Sequence, residues 1–149
     1  MRIGDICTVQ TIHCKRDTTV QQAALMMRNH HVGDLIVVEQ PNGERVPVGI
    51  ITDRDIVVSV IALGLDPVSL LVGDIMTDEV LTATEDEDVY ETIELMRFKN
   101  IRRLPVVNSL GGLSGIVSVD DLLEFLAEEM GELSRISSGQ QAQEKRAGQ

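Results

Sequence analysis

The sequence predicts a mixed α/β (α+β) fold of two β-α-β-β-α repeats, packed sheet to sheet about a pseudo-two-fold axis. Two observations carry this and a third agrees with it. The stretch Gly49-Ile50-Ile51-Thr52-Asp53-Arg54-Asp55, a strand running into a helix, recurs as Gly115-Ile116-Val117-Ser118-Val119-Asp120-Asp121. Gly4-Asp5-Ile6-Cys7-Thr8 recurs 69 residues later as Gly73-Asp74-Ile75-Met76-Thr77, and the same offset carries Leu35-Ile36-Val37-Val38 onto Leu104-Pro105-Val106-Val107. Such self-similarity marks an internal repeat. Finally, 43% of the 149 residues are hydrophobic but only 2% aromatic, so the core is aliphatic and suits packed α/β layers.

In order, Val9 to Cys14 reads as a short strand. Thr18 or Thr19 caps a helix through about Asn29, with Val20, Ala23, Ala24 and Met27 on one face. Leu35 to Glu39 and Val46 to Ile51 are strands joined through Pro41-Asn42-Gly43, an Asn-Gly turn signal. Asp53 to Leu63 is a helix ended near Gly64 and Pro67. The second repeat gives a strand at Val80 to Thr84, a helix at Asp88 to Lys99, strands at Leu104 to Val107 and Leu113 to Val117, and a last helix from Val119 to about Leu133. Its hairpin, around Leu110-Gly111-Gly112, is three residues shorter, and a hairpin tip tolerates such change. Pro105 is expected at a strand start or at an edge, because it lacks an N–H. The boundaries are residues 1–66 and 67–133 for the repeats, and 134–149 for a Ser- and Gln-rich tail read as disordered.

Thr52 with Asp55, and Ser118 with Asp121, place a hydroxyl and an acid on the lip between a strand end and a helix start. Free N–H groups and partial positive charge at that point suit an anion. Either pair also reads as a plain N-cap. Cys7, Cys14 and the three histidines show no ligand spacing, so no metal is expected and the cysteines read as structural thiols. A helix-end histidine, His30 or His31, reads as solvated or capping. The formal net charge of −11 argues against nucleic acid and anionic membranes as partners. No apolar run approaches a membrane span and the first residues do not read as a signal peptide, so a cytoplasmic protein is the default. There is no nucleophile–base pair or Walker loop, and no enzymatic activity is expected.

With its Gly-Ile-Ile-Thr-Asp-Arg-Asp and Gly-Ile-Val-Ser-Val-Asp-Asp motifs, Asp-Ile-Met-Thr at 74–77 and Ile-Arg-Arg-Leu-Pro-Val-Val at 101–107, the chain resembles a tandem pair of CBS domains, a Bateman module, over residues 1 to 133. It looks like small bacterial proteins made of such a pair and little else. The resemblance implies a regulatory module that binds adenine nucleotides (AMP, ADP or ATP, less often S-adenosyl ligands), forms a homodimer and signals to a regulated protein. It also implies two clefts. Cleft one would use Thr52 and Asp55, with Val80 and Leu81 beside adenine and Ile101, Arg102 and Arg103 nearby. Cleft two would use Ser118 and Asp121 with Thr11, Ile12 and Val32, then Gly33 and Asp34. Repeat one thus offers Gly33 and Asp34 where repeat two offers Arg102 and Arg103, and an acid disfavours phosphate unless a cation neutralises it. Cleft one is therefore expected to be the better nucleotide site, with cleft two weak, empty or selective for another ligand. The alternative is a constitutive dimerisation or interaction module that binds no nucleotide.

Overall fold

Residues 1–9 and 11–147 are described by a computed structural model. The first repeat supplies β1 (His13–Cys14), α1 (Val20–His30), β2 (Asp34–Glu39), β3 (Val46–Thr52) and α2 (Asp53–Ile56), which runs on as a π-helical turn over Val57–Ile61. A short α3 (Val72–Ile75) lies in the link between repeats. The second repeat supplies β4 (Ala83–Thr84), α4 (Val89–Lys99), β5 (Arg103–Val107), β6 (Leu113–Ser118) and α5 (Val119–Ala147).

Each repeat folds as its local chemistry dictates. Thr19 caps α1 reciprocally with Gln22: its hydroxyl accepts from the Gln22 N–H at 3.1 Å, and its own N–H donates to Gln22 Oε1 at 3.0 Å. Asp88 caps α4. Both helices end on a left-handed residue, His31 (φ 55°) and Asn100 (φ 54°), which occupy equivalent positions in the two repeats. His31 is therefore a C-cap. Each hairpin turns on a glycine with positive φ, Gly43 at 86° and Gly111 at 82°.

The two sheets share one plan. In the first, β1 runs parallel to β2 and β2 antiparallel to β3; β4, β5 and β6 repeat this. A register shift falls between Val37 and Val38 in one sheet and at the equivalent Val106 and Val107 in the other, so the bulge is duplicated with the sequence.

Several expectations need correction. The first strand of each repeat is short: β1 and β4 pair over two residues each, not over Val9 to Cys14 and Val80 to Thr84. Pro105 lies inside β5, the central strand, opposite Ile116. It is tolerated because the neighbouring strand has not begun. Its equivalent Ile36 donates its N–H towards Ile12, on the β1 side, whereas the β4 ladder starts only at Ala83 opposite Val106. The proline thus meets a local edge. The second helix is α-helical only to Ile56; an Ala62 N–H to Val57 carbonyl bond marks the π turn. The last helix does not stop near Leu133 in a disordered tail. It continues to Ala147, and residues 134–144 are exposed along it; residues 148–149 lie outside the described residues.

The two aliphatic cores do not follow the sequence repeats. One holds Val20, Leu35, Val37, Ile51 and Val60, and takes Val72 from the link. The other holds Val89, Leu104, Val106, Val117 and Leu122, and takes Ile3 from the start of the chain. Backbone bonds fix both crossings. The Ile3 N–H donates to the Glu87 carbonyl at 2.8 Å, and the Val72 N–H to the Thr18 carbonyl at 2.7 Å. Cys14 is buried in the first core, which pushes its thiol up to about 11 and leaves it an unreactive packing group.

Candidate functional site

The lip motifs fold as reciprocal caps in both repeats. Thr52 Oγ1 accepts from the Asp55 N–H at 3.1 Å, while the Thr52 N–H donates to Asp55 Oδ2 at 2.9 Å. Ser118 and Asp121 match this at 3.1 Å and 2.9 Å. The plain N-cap reading therefore holds, and it has a further consequence. The cap fixes the carboxylate through Oδ2 and leaves Oδ1 available as an acceptor, and each hydroxyl keeps its own proton to donate.

The glycine three residues before each hydroxyl has a steric reason. A Cβ on Gly115 would stand 2.5 Å from the Thr8 carbonyl oxygen, and one on Gly49 would stand 2.8 Å from that of Thr77. Backbone bonds make these approaches close. Thr8 and Ile116 exchange bonds of 2.8 and 3.0 Å, as Thr77 and Ile50 do at 3.0 and 3.1 Å. The threonine that ends each Gly-Asp-Ile-x-Thr segment is thereby laid across the strand leading to the lip.

Two cavities result. Cleft two, about 200 Å³, brings together Thr11, Ile12, Val32, Ser118 and Asp121 of the residues expected there, while Gly33 does not line it. Asp34 and Arg103 line it as well. Cleft one, about 210 Å³, gathers Val80, Leu81, Ile101 and Arg103 with Ile50. Thr52 and Asp55 do not line that cavity. Thr52 is two residues beyond Ile50 on the same face of β3, so the pair stands past the cavity at the strand end. Arg102 is not in either cleft. It lines a separate groove of about 400 Å³ between α4 and α5, with Leu122, Leu123 and Leu126. Sequence reasoning missed Thr8 and Thr77, one per cleft, and Glu79 in cleft one. The duplicated Gly-Asp-Ile-x-Thr segments already marked both threonines as equivalent positions.

Electrostatically the clefts meet at one ion pair. Arg103 Nε lies 2.7 Å from Asp34 Oδ2, and the two residues occupy equivalent positions in the repeats. The Asp34 side chain is well buried, at 16% exposure, against 47% for Arg103. Burial raises the Asp34 pKa above the ordinary carboxylate value; the Arg103 guanidinium pulls it back and Asp53 pushes it up again. The acid that counted against cleft two is thus already neutralised by an arginine of the other repeat. An apolar slot, a fixed carboxylate with a free oxygen, a hydroxyl donor and a guanidinium together suit a flat heterocycle carrying a diol and an anionic group.

The CBS domain family model matches residues 3–61 and 72–128 of the chain. An uncharacterised protein of Methanopyrus kandleri is 38% identical over 122 residues, which cover 82% of this chain but only 61% of that protein. Among solved structures, a CBS domain pair in complex with 5′-methylthioadenosine and S-adenosyl-L-methionine is 28% identical with a TM-score of 0.73, covering 87% of this chain and 98% of its own. A CBS domain protein from Pyrobaculum aerophilum complexed with AMP is 25% identical with a TM-score of 0.72, covering 86% and 99%.

Proposed function

Since the chain belongs to the CBS-domain family, in two tandem copies, we propose that it is a regulatory module sensing adenine-bearing ligands, with AMP, ADP or ATP as the nucleotide class. The observation that carries this reading is the pair of related cavities flanking Arg103, each next to a strand end where a capping acid keeps one carboxylate oxygen free. The complexes of similar CBS pairs with AMP and with S-adenosyl ligands support it.

In this reading cleft one takes the nucleotide. Val80, Leu81, Ile50 and Ile101 sandwich the base, Asp55 Oδ1 accepts from the ribose hydroxyls, and the Thr52 hydroxyl and Arg103 donate to phosphate. Cleft two offers the same base and ribose chemistry through Ile12, Val32, Ile116 and Asp121. The module signals by assembly. Exposed apolar side chains on the second helix (Val57, Val58 and Ile61) and on α5 (Leu123) supply a surface for a homodimer, and a ligand acts by favouring one arrangement of it over another. No turnover chemistry is part of the proposal.

Calorimetric titration of AMP, ADP, ATP and S-adenosylmethionine into wild type, Asp55→Ala and Asp121→Ala tests this. Loss of a charge-assisted bond worth about 1.5–3 kcal/mol weakens the ligand of the affected cleft roughly tenfold or more. A folded protein that binds none of the four at millimolar concentration, or binds them equally well in both variants, overturns the proposal.

A further inference from the structure

The last helix outruns the body it packs on. Leu122 and Phe125 are buried in the second core, but from Ala127 to Glu144 every residue except Gly131 is exposed. This arm has little helical propensity of its own, since it carries Gly131 and Gly139 with Ser134, Ser137 and Ser138. Helices in proteins draw most of their stability from packing an apolar face. The arm has the start of such a face, and it is uncovered. Leu123, Leu126, Met130 and Leu133 recur at intervals of three, four and three, the spacing of a helix-on-helix seam. Leu123, Met130 and Leu133 are 58%, 71% and 67% exposed. At the root of the arm lies the groove of about 400 Å³ between α4 and α5, with Ile93, Met96, Leu122 and Leu126 among its walls and the exposed Arg97 and Arg102 beside them. Neither arginine forms an ion pair among the described residues.

We propose that this groove holds the α5 arm of a second copy of the chain, in a reciprocal antiparallel pair of α5 helices. The inference deepens the assembly part of the reading above and is independent of which ligand the clefts take. Three features select this occupant. The chain's own arm cannot turn back into the groove, because α5 is one continuous helix whose first turns already form a wall of it. The stripe is self-complementary about Glu128. Laid antiparallel, Leu123 meets the partner's Leu133 and Leu126 meets the partner's Met130, so one two-fold axis covers all four positions in both copies. Charge agrees. Glu129 stands two turns beyond Leu122 on the same flank of α5, with Glu132 one turn further. A two-fold across the seam keeps that flank on the side of α4, which brings the partner's Glu129 and the partner's Glu132 towards Arg97 and Arg102. Glu132 meets Arg135 within the arm, but both side chains are largely exposed and such a pair is weakly held. An acidic arm thus faces a groove flanked by two arginines, and complementary charge of this kind fixes register.

The experiment combines sedimentation and mild oxidation of the intact chain. Wild type is expected to sediment as a dimer, and to give no covalent dimer on oxidation. Leu123→Cys and Leu133→Cys change exposed residues, and circular dichroism checks that both variants are folded. In the antiparallel pair two copies of either cysteine lie about 15 Å apart along the helices, beyond a disulfide's Cα reach of about 7 Å. Each variant alone is therefore expected to stay uncross-linked, and a mixture of the two to give a covalent heterodimer. Charge is tested in the same way. Arg97→Glu with Arg102→Glu, and Glu129→Lys with Glu132→Lys, are each expected to weaken self-association about tenfold, and mixing the two double variants is expected to restore it. A wild-type chain that stays monomeric at high micromolar concentration overturns the inference and leaves the groove to another partner. Cross-linking of either cysteine variant alone, a mixture that fails to cross-link, or a dimer indifferent to both charge reversals overturns it as well. None of these outcomes touches ligand binding, so the adenine-sensor reading stands or falls on its own titration.

Discussion

Asp34 sits in an environment that disfavours its charge even with Arg103 against it. Its pKa is raised by burial first, lowered by Arg103 and raised again by Asp53, and the net direction is upward. A carboxyl whose folded pKa exceeds its unfolded one binds more protons in the native state, so its contribution to stability falls as pH rises from the unfolded value through the folded one. Asn cannot titrate. The Asp34→Asn variant is therefore expected to gain stability relative to wild type as pH climbs from about 3 through the carboxylate range. Urea melts of both proteins across that range check the sign; a difference that shrinks with rising pH would mean that Arg103 outweighs burial. The identity of Asp34 and its misfit with phosphate were legible in the sequence, because the repeat aligns it with Arg103. Their pairing was not, since no repeat offset says that two equivalent side chains face one another across an axis. Arg102 shows the converse limit. Arg102 stands just before β5 and lines the groove between α4 and α5, whereas Arg103 opens the strand and lines the clefts, and the sequence did not say which of the two neighbours would do so.

At the level of elements, periodicity and capping signals located α1 and α4, both hairpins and the last two strands of each repeat. What escaped were the places where the two halves interlock. Val80 and Leu81, like Thr11 and Ile12, have strand-like sequences but leave the ladder to line the clefts, which is why β4 and β1 shrink to two residues. The extension of α5 has no apolar stripe to announce it; it is a polar helix whose side chains to residue 144 face solvent. The lip caps carry a prediction of their own, because Thr52 is assigned both a structural and a ligand role. Thr52→Ala removes the hydroxyl that satisfies the Asp55 N–H and is expected to cost about 1 kcal/mol of stability. Thr52→Ser keeps the cap and is expected to retain both stability and nucleotide affinity. Should Thr52→Ala melt like wild type, the cap contributes nothing and the hydroxyl belongs to the ligand alone.

On the scale of the molecule, the repeats exchange their leading segments. Ile3, fully buried, completes the core of the second repeat, and Val72, equally buried, completes that of the first. Each crossing segment continues into the threonine that lines a cleft, Thr8 or Thr77, through the close approach that Gly115 and Gly49 permit. Core integrity and cleft geometry are thus carried by the same two segments, and neither half is complete without chain drawn from the other. Chain ends are ordinarily tolerant of change. Here the first eight residues are expected to be the exception. Ile3→Ala leaves a cavity in a core that includes Ala83, Val89, Leu104 and Val117, and is expected to cost about 2–5 kcal/mol. Because the segment joins both halves, the loss should appear as one cooperative transition at lower urea, coincident by circular dichroism and by nucleotide protection, and not as early melting of the second half alone. Deletion of residues 1–8 should be worse, since it also removes the Thr8–Ile116 backbone pair and the wall of cleft two. Two separated transitions in Ile3→Ala, or a deletion variant as stable as the full chain, would show that the halves fold independently and that the exchange is not what couples them.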